Sequence, residues 1–161
     1  MCFKTGDEWS SIERVKQTMF AERDLFCHDL NMIRYKYGAH TKHRLMIHLV
    51  WIPKYRKRIL KGLLAGRIHE LLLLCAATNG WEVLELNVQE DHIHIVVQFV
   101  PTISVSKMVQ LFKGKTSRII RSEFPELEEV YWGDSFWADG YFAETAGTCN
   151  IQTILDYVKN Q

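Results

Sequence analysis

Cysteine is scarce and scattered: Cys2, Cys27, Cys75 and Cys149 are the only four, and no two form a CxxC pair. That excludes a disulfide-stapled scaffold or a zinc ribbon and is the usage expected of reduced thiols in the cytoplasm. Long apolar runs are lacking too. The longest, such as Leu71 to Ala77, are far too short to span a bilayer, so no membrane association is expected. Acidic Asp7, Glu8 and Glu13 near the start do not make a signal peptide. There is no internal repeat and no low-complexity segment. An excess of charge of one sign is also missing, since the net charge is only +1. Taken alone, that speaks against a nucleic-acid binder.

What is present is an uneven distribution of that charge. Residues 1–40 are balanced, residues 41–121 carry a net +8, and residues 122–161 carry a net −7. A basic middle stretch suits a surface that meets phosphates, unless the acidic last stretch folds over it. With 161 residues, 47% of them apolar, there is room for one domain with one sizeable core. Residues 1–40 read as an N-terminal extension of unknown role, with an amphipathic helix near Ser10 to Leu30. Residues 41–161 form the recognisable domain.

Within that domain Arg44 to Pro53 is rich in β-branched and aromatic residues and closes on a proline, so it reads as a strand. Ile59 to Asn79 repeats Leu60, Leu63, Leu64, Ile68, Leu71, Leu72 and Cys75 at helical spacing and stops at Asn79-Gly80. Trp81 to Gln89 and His92 to Phe99 are strands joined by the Glu90-Asp91 turn as a hairpin. A helix follows over Ser104 to Ser122, then an acidic connection over Glu123 to Tyr131. Tyr141 to Thr145 is a short strand, and Asn150 to Gln161 is a last helix with Asn150 at its N-cap. The order β-α-β-β-α-β-α predicts an α+β fold: a ferredoxin-like split βαβ antiparallel sheet with an extra C-terminal helix carrying a tyrosine.

Chemistry concentrates at two places. His92 and His94 lie two apart on a central strand, so both side chains fall on one face while Ile93, Ile95 and Val97 point to the other. Two adjacent imidazoles can bind one metal ion, although such pairs also occur on strands without a ligand. Helices are expected on the isoleucine side, leaving the histidine side open or shared with a later element. On the last helix Tyr157 and Gln161 are four apart and share a face. Tyr157 falls about 110° from the centre of the stripe Ile151, Ile154, Leu155 and Val158, at ~100° per residue. In-line phosphodiester cleavage needs a nucleophile, a cation and an open coordination position. His92, His94 and Gln161 would be three neutral ligands, and Tyr157 the nucleophile.

These stretches resemble, in order, the single-tyrosine HUH transposases of the TnpA type, an IS-two-hundred-like insertion sequence family. Asp91 to Ile95 (DHIHI) resembles the HUH motif: histidine, bulky hydrophobic, histidine. His48 to Lys57 (HLVWIPKYRK), Lys113 to Arg121 (KGKTSRIIR), Trp137 to Phe142 (WADGYF) and Ile154 to Gln161 (ILDYVKNQ) are similar to further blocks of that family. The resemblance runs from about Thr41 to the last residue. It implies a homodimer, Mg²⁺ or Mn²⁺ on His92 and His94, Tyr157 as the catalytic tyrosine, and Gln161 as a further ligand. It also implies single-stranded DNA with hairpin element ends as substrate, cleaved through a 5′-phosphotyrosine and rejoined. Composite sites, with the tyrosine helix docked on the other subunit, are the implied alternative to docking on its own sheet.

Residues 1–40 have no counterpart in the resemblance, and a ligand at the final residue frays with its helix end. The second reading is therefore a truncated, catalytically impaired relative that binds DNA hairpins. Lys54, Arg56 and Lys57, interleaved with Tyr55, together with Lys113, Lys115, Arg118 and Arg121, are the expected DNA contacts through phosphates and stacking. Asp91 either orients a ligand histidine or caps the hairpin turn. His48 either approaches the site or packs. Trp51, Trp132 and Trp137 are expected in the core.

Overall fold

Two apolar runs with little polar alternation need cover on both sides, and they form the middle of the sheet. In the computed structural model, which describes residues 35–127, 135–147 and 151–160, Leu45–Trp51 (β1) is followed by helix Gly62–Thr78 (α1). Glu82–Val88 (β2) and Ile93–Phe99 (β3) come next, then helix Val105–Glu123 (α2). Phe142–Thr145 (β4) and helix Ile151–Lys159 (α3) complete the order. The sheet order is β2-β3-β1-β4 and every neighbouring pair is antiparallel, which is the ferredoxin-like arrangement. A small hairpin pairing Lys36–Tyr37 with Lys42–His43 precedes it and was not expected from the pattern.

The boundaries follow local chemistry. Ser104 caps α2 by accepting a hydrogen bond from the Lys107 N–H at 3.3 Å. Asn79 closes α1 by donating from its backbone N–H to the Cys75 and Ala76 carbonyls, and Gly80 leaves the helix at φ +70°. α1 begins at Gly62 and not at Ile59. The Leu60 N–H donates to the Glu90 carbonyl, and Gly62 at φ +54° turns the chain into the helix. The helix expected near Ser10 to Leu30, the Asn150 cap and Gln161 lie outside the described residues, as does Trp132.

One face of the sheet carries the main core. Ile47, Leu49 and Trp51 from β1 and Ile93, Ile95, Val97 and Phe99 from β3 meet α1 and α2 there. Trp51 and Trp137 are both buried in it, as expected, with rings 6.1 Å apart at 83°. Each fully buried large side chain contributes roughly 1.5–3 kcal/mol. The other face has a smaller cluster. Ile151, Ile154 and Val158 of α3 pack on Met46, Val96 and Ala146, so α3 lies on its own sheet, opposite α1 and α2.

Candidate active site

Pairing register builds the site on the α3 face. Val50 opposes His94, and His48 opposes Val96. His48 and His94 are therefore diagonal neighbours on one face, where side chains of this length meet. Both imidazoles are fully buried, with His48 Nε2 3.0 Å from His94 Nδ1. His92, one residue before β3, sets its ring 4.7 Å from that of His94 at 78°. α3 is held over this row by its apolar stripe and by Asn87, whose Nδ2 donates to the Val158 carbonyl at 2.7 Å. Tyr157, off that stripe and half-buried, turns its ring edge-to-face with His94 at 5.6 Å.

Burial sets the protonation of the row. Desolvation, then the charges of His48 and His92, push His94 down to about 2, and desolvation lowers His48 to about 4. Both rings are neutral near pH 7 and retain a nitrogen lone pair. Among the described residues His94 Nε2 is buried without a hydrogen-bond partner, and such an orphan ordinarily costs about 1–3 kcal/mol. His92 is arranged differently. Its Nδ1 donates to Asp91 Oδ1 at 2.6 Å, and Arg56 Nε donates to Asp91 Oδ2 at 2.9 Å. Burial alone would raise the Asp91 carboxyl, but His92 and Arg56 outweigh it and hold it below its ordinary range. A carboxylate on Nδ1 fixes the histidine tautomer that offers Nε2 to a metal.

These donors fit a divalent cation: two neutral imidazoles side by side, one with a desolvated, unpartnered Nε2 and one held by a carboxylate. Among the described residues no three His, Cys, Asp or Glu side chains converge as a ready-made cage. The two imidazoles thus leave coordination positions for other ligands, and Gln161, expected to be one, lies outside the described residues. Sequence reading anticipated His92, His94 and Tyr157 in one place, and the structure brings their rings together. It left the role of His48 open and did not single out Asn87.

The expected DNA contacts divide into two groups. Lys54, Arg56 and Lys57 sit in the turn after β1, at the His92 end of the site. Tyr55 and Arg56 adopt φ +60° and +50° there, a left-handed conformation that costs a non-glycine residue of order 1 kcal/mol or more. Lys54 and Lys57 flank the Tyr55 ring, which is 59% exposed, at 5.6 and 6.0 Å. An exposed aromatic between cations is a surface on which a base can stack. Lys113, Lys115, Arg118 and Arg121 belong to α2, across the sheet from the imidazoles. Lys113 donates to the Ala138 and Gly140 carbonyls at 2.8 and 2.7 Å, bracing the loop before β4.

Known proteins resemble this chain in sequence and in fold. Residues 41–161 match the family described as IS200-like transposases. The chain is 31% identical to the ISDra2 transposase TnpA of Deinococcus radiodurans over 126 residues, covering 78% of this chain and 90% of that one. It is 32% identical to the transposase for insertion sequence element IS200 of Salmonella typhimurium over 123 residues, 76% and 80% of the two chains. In structure it is similar to a proposed transposase from D. radiodurans R1, with a TM-score of 0.66, 30% identity, and coverage of 78% of this chain and 97% of that chain. A REP-associated tyrosine transposase bound to a REP hairpin shares the fold at a TM-score of 0.54 and 12% identity, covering 76% and 69%. No helix among the described residues is long and apolar enough to cross a membrane. A ferredoxin-like sheet with a tyrosine helix laid on its histidine face, and a match over three quarters of the sequence, make this chain a member of the IS200-like transposase family.

Proposed function

We propose that this transposase is a metal-dependent enzyme of the HUH type that cleaves single-stranded DNA at hairpin ends of a mobile element and rejoins the strands. One observation carries the reading: the Tyr157 ring stands edge-on to His94, whose Nε2 is buried and unpartnered. The ring that bears the nucleophile and an imidazole able to ligate a metal are thereby neighbours. His92 and His94 would hold Mg²⁺ or Mn²⁺, with Gln161 as a further ligand. When bound, the ion would supply positive charge to the phosphate oxygens.

The chain's own residues do the rest. Tyr157 Oη attacks phosphorus in line, the bond to the 3′-oxygen breaks, and that oxygen leaves and takes a proton, while the phenolic proton passes to solvent. The 5′ side is left as a phosphotyrosine. Attack by another strand's 3′-hydroxyl reverses these changes and restores the phenol, so rejoining consumes no nucleotide. The neutral imidazoles leave the charge of a bound ion undiminished. Tyr55 with Lys54 and Lys57 borders the His92 end and suits a single strand, by stacking and phosphate contact. Lys115, Arg118 and Arg121 offer a second contact surface on α2. A related fold carrying a REP hairpin supports hairpin DNA as the ligand to test first. The active form is a homodimer.

The test is covalent capture. Protein is mixed with single-stranded oligonucleotides tiling both flanks of its gene, with Mg²⁺ or Mn²⁺, and run on a denaturing gel. A metal-dependent shifted band that vanishes in Tyr157→Phe is expected. An adduct of undiminished yield in that variant removes Tyr157 from the mechanism. Hairpin binding with no adduct under any metal supports the binding-only reading instead. Sedimentation at micromolar concentration tests the dimer.

A further inference from the structure

The contact between His48 and His94 is a hydrogen bond made ring to ring in one plane. The planes differ by only 10° and the centroids are 5.3 Å apart, yet two ring nitrogens approach to 3.0 Å. Stacked rings cannot satisfy all three values. Rings lying side by side can, because the centroid separation is then the hydrogen-bond length plus one ring radius at each end. A single proton lies between His48 Nε2 and His94 Nδ1. Both side chains are fully buried, so water cannot replace either partner.

The position of that proton decides what His94 can do. If His48 Nε2 carries it, the neutral His94 must carry its own on Nε2, and that nitrogen has no lone pair to give. If His94 Nδ1 carries it and donates to His48, the lone pair of His94 stands on Nε2. Nε2 is the atom left buried and unpartnered. His48 Nδ1 likewise has no partner among the described residues and takes the remaining proton of its own ring. Phe142, T-shaped to His48 at 6.0 Å, fixes that ring from the β4 side.

We infer that His48 is a positioning residue, a buried hydrogen-bond acceptor that holds His94 in the tautomer and orientation able to ligate a divalent cation through Nε2. The inference rests on the proposed metal site. His48 touches neither ion nor DNA and acts through His94, as Asp91 does through His92. The two ligand histidines are thus held by unlike acceptors. A neutral imidazole serves the fully buried one, where a carboxylate would need a counter-charge, and a carboxylate paired with Arg56 serves the one that keeps some exposure.

The experiment reads metal affinity, not activity. Mn²⁺ binding to the full chain is titrated by electron paramagnetic resonance for wild type, His48→Leu and His48→Gln. Folding is checked by melting in EDTA. Leucine removes the acceptor, and the expected loss is about 10- to 100-fold in affinity. Glutamine can offer a carbonyl oxygen near the position of Nε2 and is expected to restore affinity to within a few-fold. Folded His48→Leu with wild-type affinity overturns the positioning role while leaving the metal site standing. Wild type that binds no Mn²⁺ overturns both together. Should the leucine variant fail to fold, ¹⁵N spectra of the wild-type imidazoles decide. A protonated Nδ1 on His94 in the Mg²⁺-loaded protein supports the inference, and a protonated Nε2 contradicts it.

Discussion

The two faces of the central sheet are built to different rules. On the α1–α2 face, β1 and β3 present only apolar side chains, and Trp51, Phe112 and Trp137 interlock beneath two long helices. On the α3 face the same two strands present His48 and His94, covered by one nine-residue helix that contributes three buried side chains. The first face holds the domain together. The second spends stability on two buried imidazoles, each with one ring nitrogen left unpartnered among the described residues. A sheet whose strands are fixed by one face can carry chemistry on the other without losing register, because a one-residue slip would move every core side chain out of the core.

Breaking each face should therefore give opposite results. The largest effect belongs to Tyr157→Phe: adduct yield should fall by at least about a thousandfold, roughly 4 kcal/mol in the barrier, with the melting temperature unchanged. Next is Phe112→Ala on the apolar face. It should cost about 3–5 kcal/mol by chemical denaturation, and whatever protein stays folded should retain metal affinity.

Acid should then find the histidine face. In the unfolded chain His48 and His94 take up protons below 6.5, but in the fold burial delays this to about 4 for His48 and lower still for His94. Their folded pKa values are depressed, so the neutral fold is not penalised above pH 6.5. It loses stability as pH falls from 6.5 towards 4, by about 1.4 kcal/mol per pH unit for each histidine. Denaturation of the metal-free protein at about pH 7 and about pH 5 should show this loss, and His48→Leu should reduce it. A flat profile would mean that the buried imidazoles do not govern acid stability. The smallest effect is expected of Arg56→Gln. Without the Arg56 hydrogen bond the Asp91 carboxylate loses the contact that fixes its orientation towards His92, and Mn²⁺ affinity should drop several-fold with little change in stability.

The fold was legible because its signals are local. Period-three-and-four leucines gave α1, a proline-closed apolar run gave β1, and the turn at Glu90-Asp91 paired β2 with β3. The histidine pair and the tyrosine were legible for the same reason, since two-residue spacing on a strand and an off-stripe position on a helix can be counted. What stayed hidden depended on register and on backbone conformation. His48 is one histidine in an apolar strand until the pairing of Val50 with His94 sets it diagonal to the site. Arg56 reads as a phosphate contact, but the left-handed turn at Tyr55 and Arg56 accompanies its ion pair with Asp91. The basic residues of α2 look continuous with the site in sequence, yet the sheet separates them from the imidazoles.

The most direct test of the account is to find the atom that holds the DNA. The trapped complex is digested with trypsin, which has no site between Arg121 and Lys159, so Tyr131, Tyr141 and Tyr157 share one peptide. Tandem mass spectrometry of that peptide should place the nucleotide mass on Tyr157. A nucleotide on Tyr131 or Tyr141, or a covalent complex in which this peptide is unmodified, would contradict it.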